Sequence, residues 1–256
     1  MINSEKLNNT VPDNAILLKL KSIVKSFWYA GNNVECLCCG WKGRKFLELN
    51  GRENVQCPRC FSLERQRLTW SYLQKKTDIL TNKHAVLHFA AIGPEKIIGD
   101  RLKKIKNLSY LSVDISNKQA MEKMDITNIK YPDGFFDVII CVHVLEHVAD
   151  DKLALKELYR VLQPGGWAII MAPLDKTLIQ TIQDISLTDP LEQKRKFGLE
   201  GHIRLYGIDY KNILELSGFK VKIENYAAEF TPEQVKKYSL DISDDIYICT
   251  KHQSKG

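Results

Sequence analysis

The sequence predicts an α/β fold: a doubly wound, mostly parallel sheet with a small cysteine-rich module in front of it. From His84 onward, apolar runs of strand length alternate with helical patterns, the mark of a parallel sheet covered by helices on both faces. Two Cys-x-x-Cys pairs lie close together near the N-terminus. The 256 residues suffice for one domain of ordinary size plus a small module.

Composition supports a core-forming globular chain, with 44% hydrophobic and 27% charged residues. The longest apolar run, Val138 to Leu145, is interrupted by His143 and is too short to cross a bilayer. Met1 to Pro12 is polar and has no signal-peptide core, so a cytoplasmic protein with no membrane span is expected. The net charge of +6 is unevenly spread: residues 1–76 hold 13 basic and 6 acidic residues, the remainder 24 and 25. A basic N-terminal part suits an anionic partner or, equally, a solvated surface.

Residues 1–33 read as a loose tail over 1–14 and a basic amphipathic helix over 15–31. A membrane-surface helix has this composition too. Packing on the domain is expected because the cysteine module, residues 34–62, follows at once. In that module, Cys36-x-x-Cys39 and Cys57-x-x-Cys60 are separated by seventeen residues, which is the spacing of a zinc site. Each pair places two thiolates on one tight turn, and two facing turns complete a tetrahedral shell with no open position, so the zinc is expected to be structural. Gly40 and Pro58 suit such turns. Cys38 is an alternative ligand to Cys36 or Cys39. Disulfides are not expected without an export signal.

Residues 63–256 form the main domain. Ser62 is expected to cap a helix from Leu63 to Lys76. Strands are expected over Ala85–Ala90, Tyr110–Asp114, Phe136–His143 and Trp167–Pro173, and helices over Pro94–Ile105, Asp150–Leu162 and Gly207–Leu216. The Asp150–Leu162 helix should stop at Gln163-Pro164-Gly165-Gly166. The runs Phe219–Tyr226 and Asp245–Lys251 lack a clear crossover helix between them and predict an antiparallel finish.

Ligands of such sheets bind beyond the carboxyl ends of the strands. The first strand ends in His88-Phe89-Ala90-Ala91-Ile92-Gly93-Pro94, whose small residues admit close backbone approach. The second ends in Asp114-Ile115, where a carboxylate can accept both hydroxyls of a ribose. Asp125, between Met124 and Ile126, can hold an adenine edge. No G-x-G-x-x-G follows the first strand, which argues against a nicotinamide-dinucleotide dehydrogenase.

Asp137 through His147 reads D-x-I-x-x-x-x-V-L-E-H, and Leu162 through Gly166 reads L-x-P-G-G. With Asp114 and Asp125-Ile126 in order before them, these motifs resemble class I S-adenosyl-L-methionine-dependent methyltransferases. Cys-Pro-Arg-Cys-Phe-Ser-Leu-Glu-Arg-Gln-Arg-Leu, starting at Cys57, and Phe197-Gly198 with His202-Ile203-Arg204-Leu205-Tyr206-Gly207 resemble a bacterial subgroup of that class. The resemblance implies a seven-stranded Rossmann-like sheet and S-adenosyl-L-methionine as cofactor. It implies a cofactor site at His88, Phe89, Ala90, Ala91, Gly93, Asp114, Ile115, Asp125, Ile126, Cys141 and His143. There is one departure: most members carry an acidic residue and several glycines after the first strand, where this chain has His88 and Gly93 alone.

Methyl transfer aligns donor and nucleophile and excludes water. An oxygen or nitrogen nucleophile must lose a proton, for which His147 and His202 are the candidate general bases. Arg204 and Tyr206 are the candidate acceptor contacts, with Arg204 binding an anionic group; alternatively Arg204 pairs with Glu200 or Asp209. No Asn-Pro-Pro-Tyr-type signature follows the fourth strand, which favours a small-molecule or glycan acceptor, anionic at Arg204. The alternatives are an RNA or protein acceptor gripped by the basic module and a binding module without turnover.

Overall fold

The computed structural model describes residues 13–253, so most of the expected tail lies outside the described residues. Helix α1 (Asp13–Trp28) leads into two small antiparallel ladders, β1 (Ala30–Glu35) with β2 (Lys42–Gly43) and β3 (Leu47–Leu49) with β4 (Arg52–Gln56). Helix α2 (Glu64–Lys76) follows. The main domain continues with β5 (His84–Phe89), α3 (Lys96–Leu102), β6 (Leu108–Asp114), β7 (Glu122–Lys123), β8 (Phe136–Val142), α4 (Asp151–Val161) and β9 (Leu162–Met171). It closes with β10 (Ile182–Gln183), α5 (Pro190–Phe197), β11 (Arg204–Leu205), α6 (Tyr210–Leu216), β12 (Lys220–Glu224), α7 (Pro232–Tyr238) and β13 (Ile246–Thr250).

The main sheet has seven strands in the order β12-β13-β9-β8-β5-β6-β7. The five strands from β9 to β7 run parallel, whereas β13 is antiparallel to both β9 and β12. The doubly wound sheet and its antiparallel finish are as the alternating pattern predicts. Two boundaries differ. Gln163-Pro164-Gly165-Gly166 opens β9 instead of forming a loop, because α4 stops at Val161 and the chain turns straight into the sheet. A side chain at Gly166 would meet the Asp137 carbonyl at 2.8 Å, so close approach to β8 demands glycine there. The short helix α7 also fills the stretch between β12 and β13.

Alternation along the strands makes two cores, one on each face. Leu87, Phe89, Ile139, Cys141 and Ile170 pack against Leu155 and Leu158 of α4 and Tyr210 and Leu214 of α6. Val86, Val138, Ile140 and Ile169 face the other way, against Leu68 and Leu73 of α2 and Ile98 and Leu102 of α3. Val34, Cys36, Trp41 and Phe46 of the cysteine module join this second core. The module therefore has no separate apolar centre; α2 lies between it and the sheet.

The end of α1 departs from expectation. Ile23, Val24, Phe27 and Trp28 are exposed, while Ser22 is buried and the Ser26 carbonyl accepts a hydrogen bond from Trp41 Nε1. The helix is tied to the module by its serine side and turns its aromatic side outward.

Arg67 of α2 joins the pieces. It is fully buried, lies over the Phe46 ring at 4.2 Å, and donates to the carbonyls of Val55 and Ser62 in the module and of Tyr238 and Ser239 at the end of α7. Replacing it leaves four carbonyls short of a donor, each costing about 1–3 kcal/mol when buried. Arg67→Met should lower the unfolding free energy by about 3 kcal/mol or more in urea titration. A loss below about 1 kcal/mol would show that the clamp carries little of the fold.

Candidate functional site

The carboxyl ends of β5, β6 and β8 open onto a cavity of about 880 Å³. Phe89, Ala90, Asp114, Ile115, Asp125, Ile126, His143 and His147 line it, as do Arg65, Gln66 and Glu95. A second cavity of about 510 Å³ adjoins, lined by Met171, Leu174, Phe197, His202 and Tyr247 among others. Arg65 and His143 line both, so the two are neighbours across these side chains.

Asp114 ends β6 nearly buried. Its Oδ1 accepts from the backbone amides of Ser116 at 2.8 Å and Asn117 at 2.7 Å, bonds that fix the carboxylate at the cavity wall. Asp125 is exposed and uses Oδ1 on the amide and hydroxyl of Thr127, both at 2.8 Å, beside the apolar wall of Met124 and Ile126. Ala90 and His143, at two strand ends, adopt left-handed backbone conformations, with φ of 49° and 56°. Such strain is typical of ligand-binding positions.

Several expected cofactor contacts lie elsewhere. His88 points away from the cavity, since strand alternation puts it on the face opposite Phe89; it is buried, with Nδ1 3.0 Å from the Tyr110 hydroxyl and Nε2 3.3 Å from Glu95 Oε1. Cys141 shares the face of Phe89 but is fully buried in the core beneath it. Ala91 turns toward α3, where a side chain at Gly99 would meet its Cβ at 3.1 Å. Gly93 does not line the cavity; with φ of 53° it starts the turn that carries Glu95 to it.

Glu95 and Arg65 were not foreseen. The Glu95 carboxylate is buried, accepts from Gln66 Nε2 at 2.9 Å through one oxygen, and has no hydrogen-bond partner for the other among the described residues. Burial alone would raise its pKa, but His88, Gln66 and Arg65 outweigh burial and hold it below the ordinary glutamate value. Arg65 Nε is likewise buried and unpartnered among the described residues. An acidic residue thus stands at the cavity wall two positions past Gly93. The Ser-Leu-Glu-Arg segment beside the cysteines was the one sequence signal for Arg65.

On the acceptor side, the segment that carries His202, Arg204 and Tyr206 is structured. β10 pairs antiparallel with β11, and α5 lies between them. His147 Nδ1 lies 2.9 Å from the Gly201 carbonyl, and its ring packs edge-on against His202, with centroids 4.8 Å apart. His202 is buried, with Nδ1 3.2 Å from the Phe197 carbonyl. Burial depresses its pKa below the ordinary histidine value, against the opposing pull of Glu146.

Arg204 and Tyr206 correct the expected anion site. Both are fully buried and neither lines either of the two cavities. Arg204 spends its guanidinium on the carbonyls of Leu145, Val148 and Ala149, with Asp151 at 3.5 Å, so no donor fork is left for an anion. The Tyr206 hydroxyl donates to Asp151 at 2.7 Å. Arg204 therefore positions the turn that carries Glu146 and His147.

The cysteines meet as the spacing predicts. Cys36, Cys39, Cys57 and Cys60 place their sulfurs within 4.8 Å of one another, with Cys36 to Cys60 at 3.6 Å and Cys39 to Cys57 at 3.7 Å. Four thiolates about 2.3 Å from a tetrahedral zinc lie roughly 3.8 Å apart, so the donor set fits that ion. The two turns are alike: Gly40 N donates to Cys36 O and Phe61 N to Cys57 O, and Gly40 and Phe61 both have positive φ. Cys38 lies outside the set, donating to the Gln66 carbonyl at 3.3 Å. Ser62 does not cap α2; its hydroxyl lies 3.2 Å from the sulfurs of Cys36 and Cys60.

The sheet order and the cavity beyond its parallel strands define a class I methyltransferase fold. Residues 101–170 match the family described as "Methyltransferase domain". A solved S-adenosylmethionine-dependent methyltransferase from Mesorhizobium loti superposes with a TM-score of 0.51 at 14% identity, covering 71% of this chain and 97% of that one. Ajmaline N-methyltransferase of Rauvolfia serpentina is 29% identical over 109 residues, 42% of this chain and 34% of that enzyme. The tRNA U34 carboxymethyltransferase of Nautilia profundicola is 30% identical over 117 residues, 45% of this chain and 38% of that enzyme. The chain spans about a third of the length of these two relatives. Among the described residues no helix is long and apolar enough to cross a membrane.

Arg204→Lys separates the structural role from the expected anion site. A lysine offers a point charge in place of the fork. Thermal and urea unfolding should show a loss of about 1–3 kcal/mol. An unchanged stability would refute the clamp.

Proposed function

We propose that the chain transfers a methyl group from S-adenosyl-L-methionine to oxygen or nitrogen of a small-molecule or glycan acceptor. The observation that carries this reading is the set of polar groups on one cavity wall: Asp114, fixed by two backbone amides, with Glu95 and Arg65 each holding a buried, unpartnered atom. Asp114 suits the ribose hydroxyls, Asp125 and Ile126 the adenine, Glu95 the ammonium and Arg65 the carboxylate of the amino-acid end. When bound, that cofactor supplies an electrophilic methyl on a sulfonium sulfur. Phe89, Ile126 and Leu153 line the same cavity and restrict water. The second cavity, at about 510 Å³, has the size of a small-molecule site and is the acceptor's place in this reading. His147, His202 and Glu146 form the polar edge at which the acceptor's nucleophile loses its proton.

In Asp114→Ala the charge-assisted bonds, about 1.5–3 kcal/mol each, are lost. Calorimetry should show S-adenosyl-L-methionine affinity reduced about tenfold or more, with the fold intact by circular dichroism. Unchanged affinity in the folded variant would sink the assignment.

The cysteine cluster is proposed as a structural zinc site, with Cys36, Cys39, Cys57 and Cys60 as ligands. A bound ion contributes folding energy directly. Elemental analysis of protein made with ample metal should find close to one zinc per chain at this cluster, and Cys60→Ser should release it and lower thermal stability. Zinc-free wild-type protein of full stability would overturn the site.

A further inference from the structure

Beside the turn after β8, one ligand atom from each of Glu146, His147 and His202 lies within 4.8 Å of the others. Glu146 is buried, its side chain 1% exposed, and neither carboxylate oxygen has a hydrogen-bond partner among the described residues. His143 Nδ1 comes within 3.2 Å of Oε1 but without hydrogen-bond geometry. A buried carboxylate left in this way is unfavourable unless a cation meets it.

The histidines point to which cation. A carbonyl oxygen only accepts, so the ring nitrogens facing Gly201 O and Phe197 O must carry the protons. Both rings are thereby fixed as the Nδ1–H tautomer and present a bare Nε2 lone pair when neutral. His202 Nε2 is aimed at Glu146, 3.9 Å from Oε1. A ring N–H anchored on a backbone carbonyl is the outer support that metal-binding histidines normally have. Two imidazole nitrogens and one carboxylate, with no proton to share, form a metal-ligand set.

We propose that Glu146, His147 and His202 bind a divalent first-row transition-metal ion of the manganese-to-zinc series, separate from the cysteine cluster. Magnesium and calcium prefer oxygen-only shells, whereas mixed nitrogen and carboxylate ligation suits the transition ions. Three protein ligands leave coordination positions open, as in catalytic metal sites. His147 lines the first cavity and His202 the second, so the site stands at their junction. Resting on the methyltransferase reading, the ion deepens it and takes over the histidines' part as bases: the open positions recruit an acceptor bearing a hydroxyl, coordination lowers the pKa of that hydroxyl, its proton passes to water in the cavity, and its oxygen takes the methyl as the sulfonium's carbon–sulfur bond breaks. The acceptor class is then an oxygen nucleophile able to coordinate a metal, not an isolated amine.

Cobalt(II) titration of the full chain, with the cysteine cluster first saturated by zinc, tests the site. Wild-type protein should take up one equivalent with the weak visible bands of nitrogen and oxygen ligation, without the intense near-ultraviolet bands of cobalt-thiolate. Glu146→Gln keeps the shape and removes the charge; His147→Ala changes an exposed residue and should fold normally. Each should weaken cobalt binding at least tenfold, since even loss of an outer-sphere partner costs about 10–100-fold. Asp114→Ala should bind cobalt as wild type does. No uptake by wild-type protein beyond the thiolate site, or unchanged affinity in folded His147→Ala, overturns the metal site. S-adenosyl-L-methionine affinity, measured on the same wild-type sample, separates the two readings: cofactor binding without cobalt uptake defeats only the metal, and cobalt uptake without cofactor binding defeats only the methyltransferase reading.

Discussion

Two fully buried arginines hold the loops around the cavity in place. Arg67 gathers carbonyls from the cysteine module and from the end of α7, and Arg204 gathers those of the turn after β8. The common constraint is backbone polarity. A parallel sheet leaves its strand ends to irregular turns, whose carbonyls find no partner within the sheet. A guanidinium can satisfy several of them at once and remains charged. Each clamp draws together segments distant in sequence, and the cavity is the space between the clamped turns.

The cysteine module is wired into that cavity. Cys38 donates to the carbonyl of Gln66, whose side chain donates to Glu95, and Glu95 faces His88 across 3.3 Å. Gln66 also receives the Leu63 amide at the start of α2. The helix that leaves the second cysteine pair therefore sets the position of a buried carboxylate on the cavity wall. A change in the order of the module would move α2 and with it Arg65, Gln66 and Glu95.

The parts legible in the sequence share a property: their signal is local. Asp114 closes an apolar run, the four cysteines come in two short pairs, and the strands alternate with helices, so composition and spacing within a few residues suffice. Where the structure departs, the deciding contact is distant. Arg204 reads the same in a polar segment whether its guanidinium meets a ligand or the carbonyls of Leu145, Val148 and Ala149, which lie more than fifty positions earlier. Glu95 looks like a surface residue of a short helix until Gln66 and His88 are brought against it. His88 differs for a simpler reason: successive side chains of a strand point to opposite faces, so His88 and Phe89 cannot both face the cavity.

Arg65 and His143 are shared between the two cavities, and Glu146 lies behind His143. Burial would raise the pKa of Glu146, yet His143 outweighs burial and holds the carboxyl below its ordinary value, so the group is ionised at neutral pH. Its negative charge behind His143 favours whatever positive charge comes to lie there and disfavours a second anion. Arg204 keeps that charge in place from outside the cavities, through the carbonyls on either side of Glu146 and His147. The arginine expected to bind substrate thus serves the site indirectly, by fixing the turn that holds a buried carboxylate behind His143.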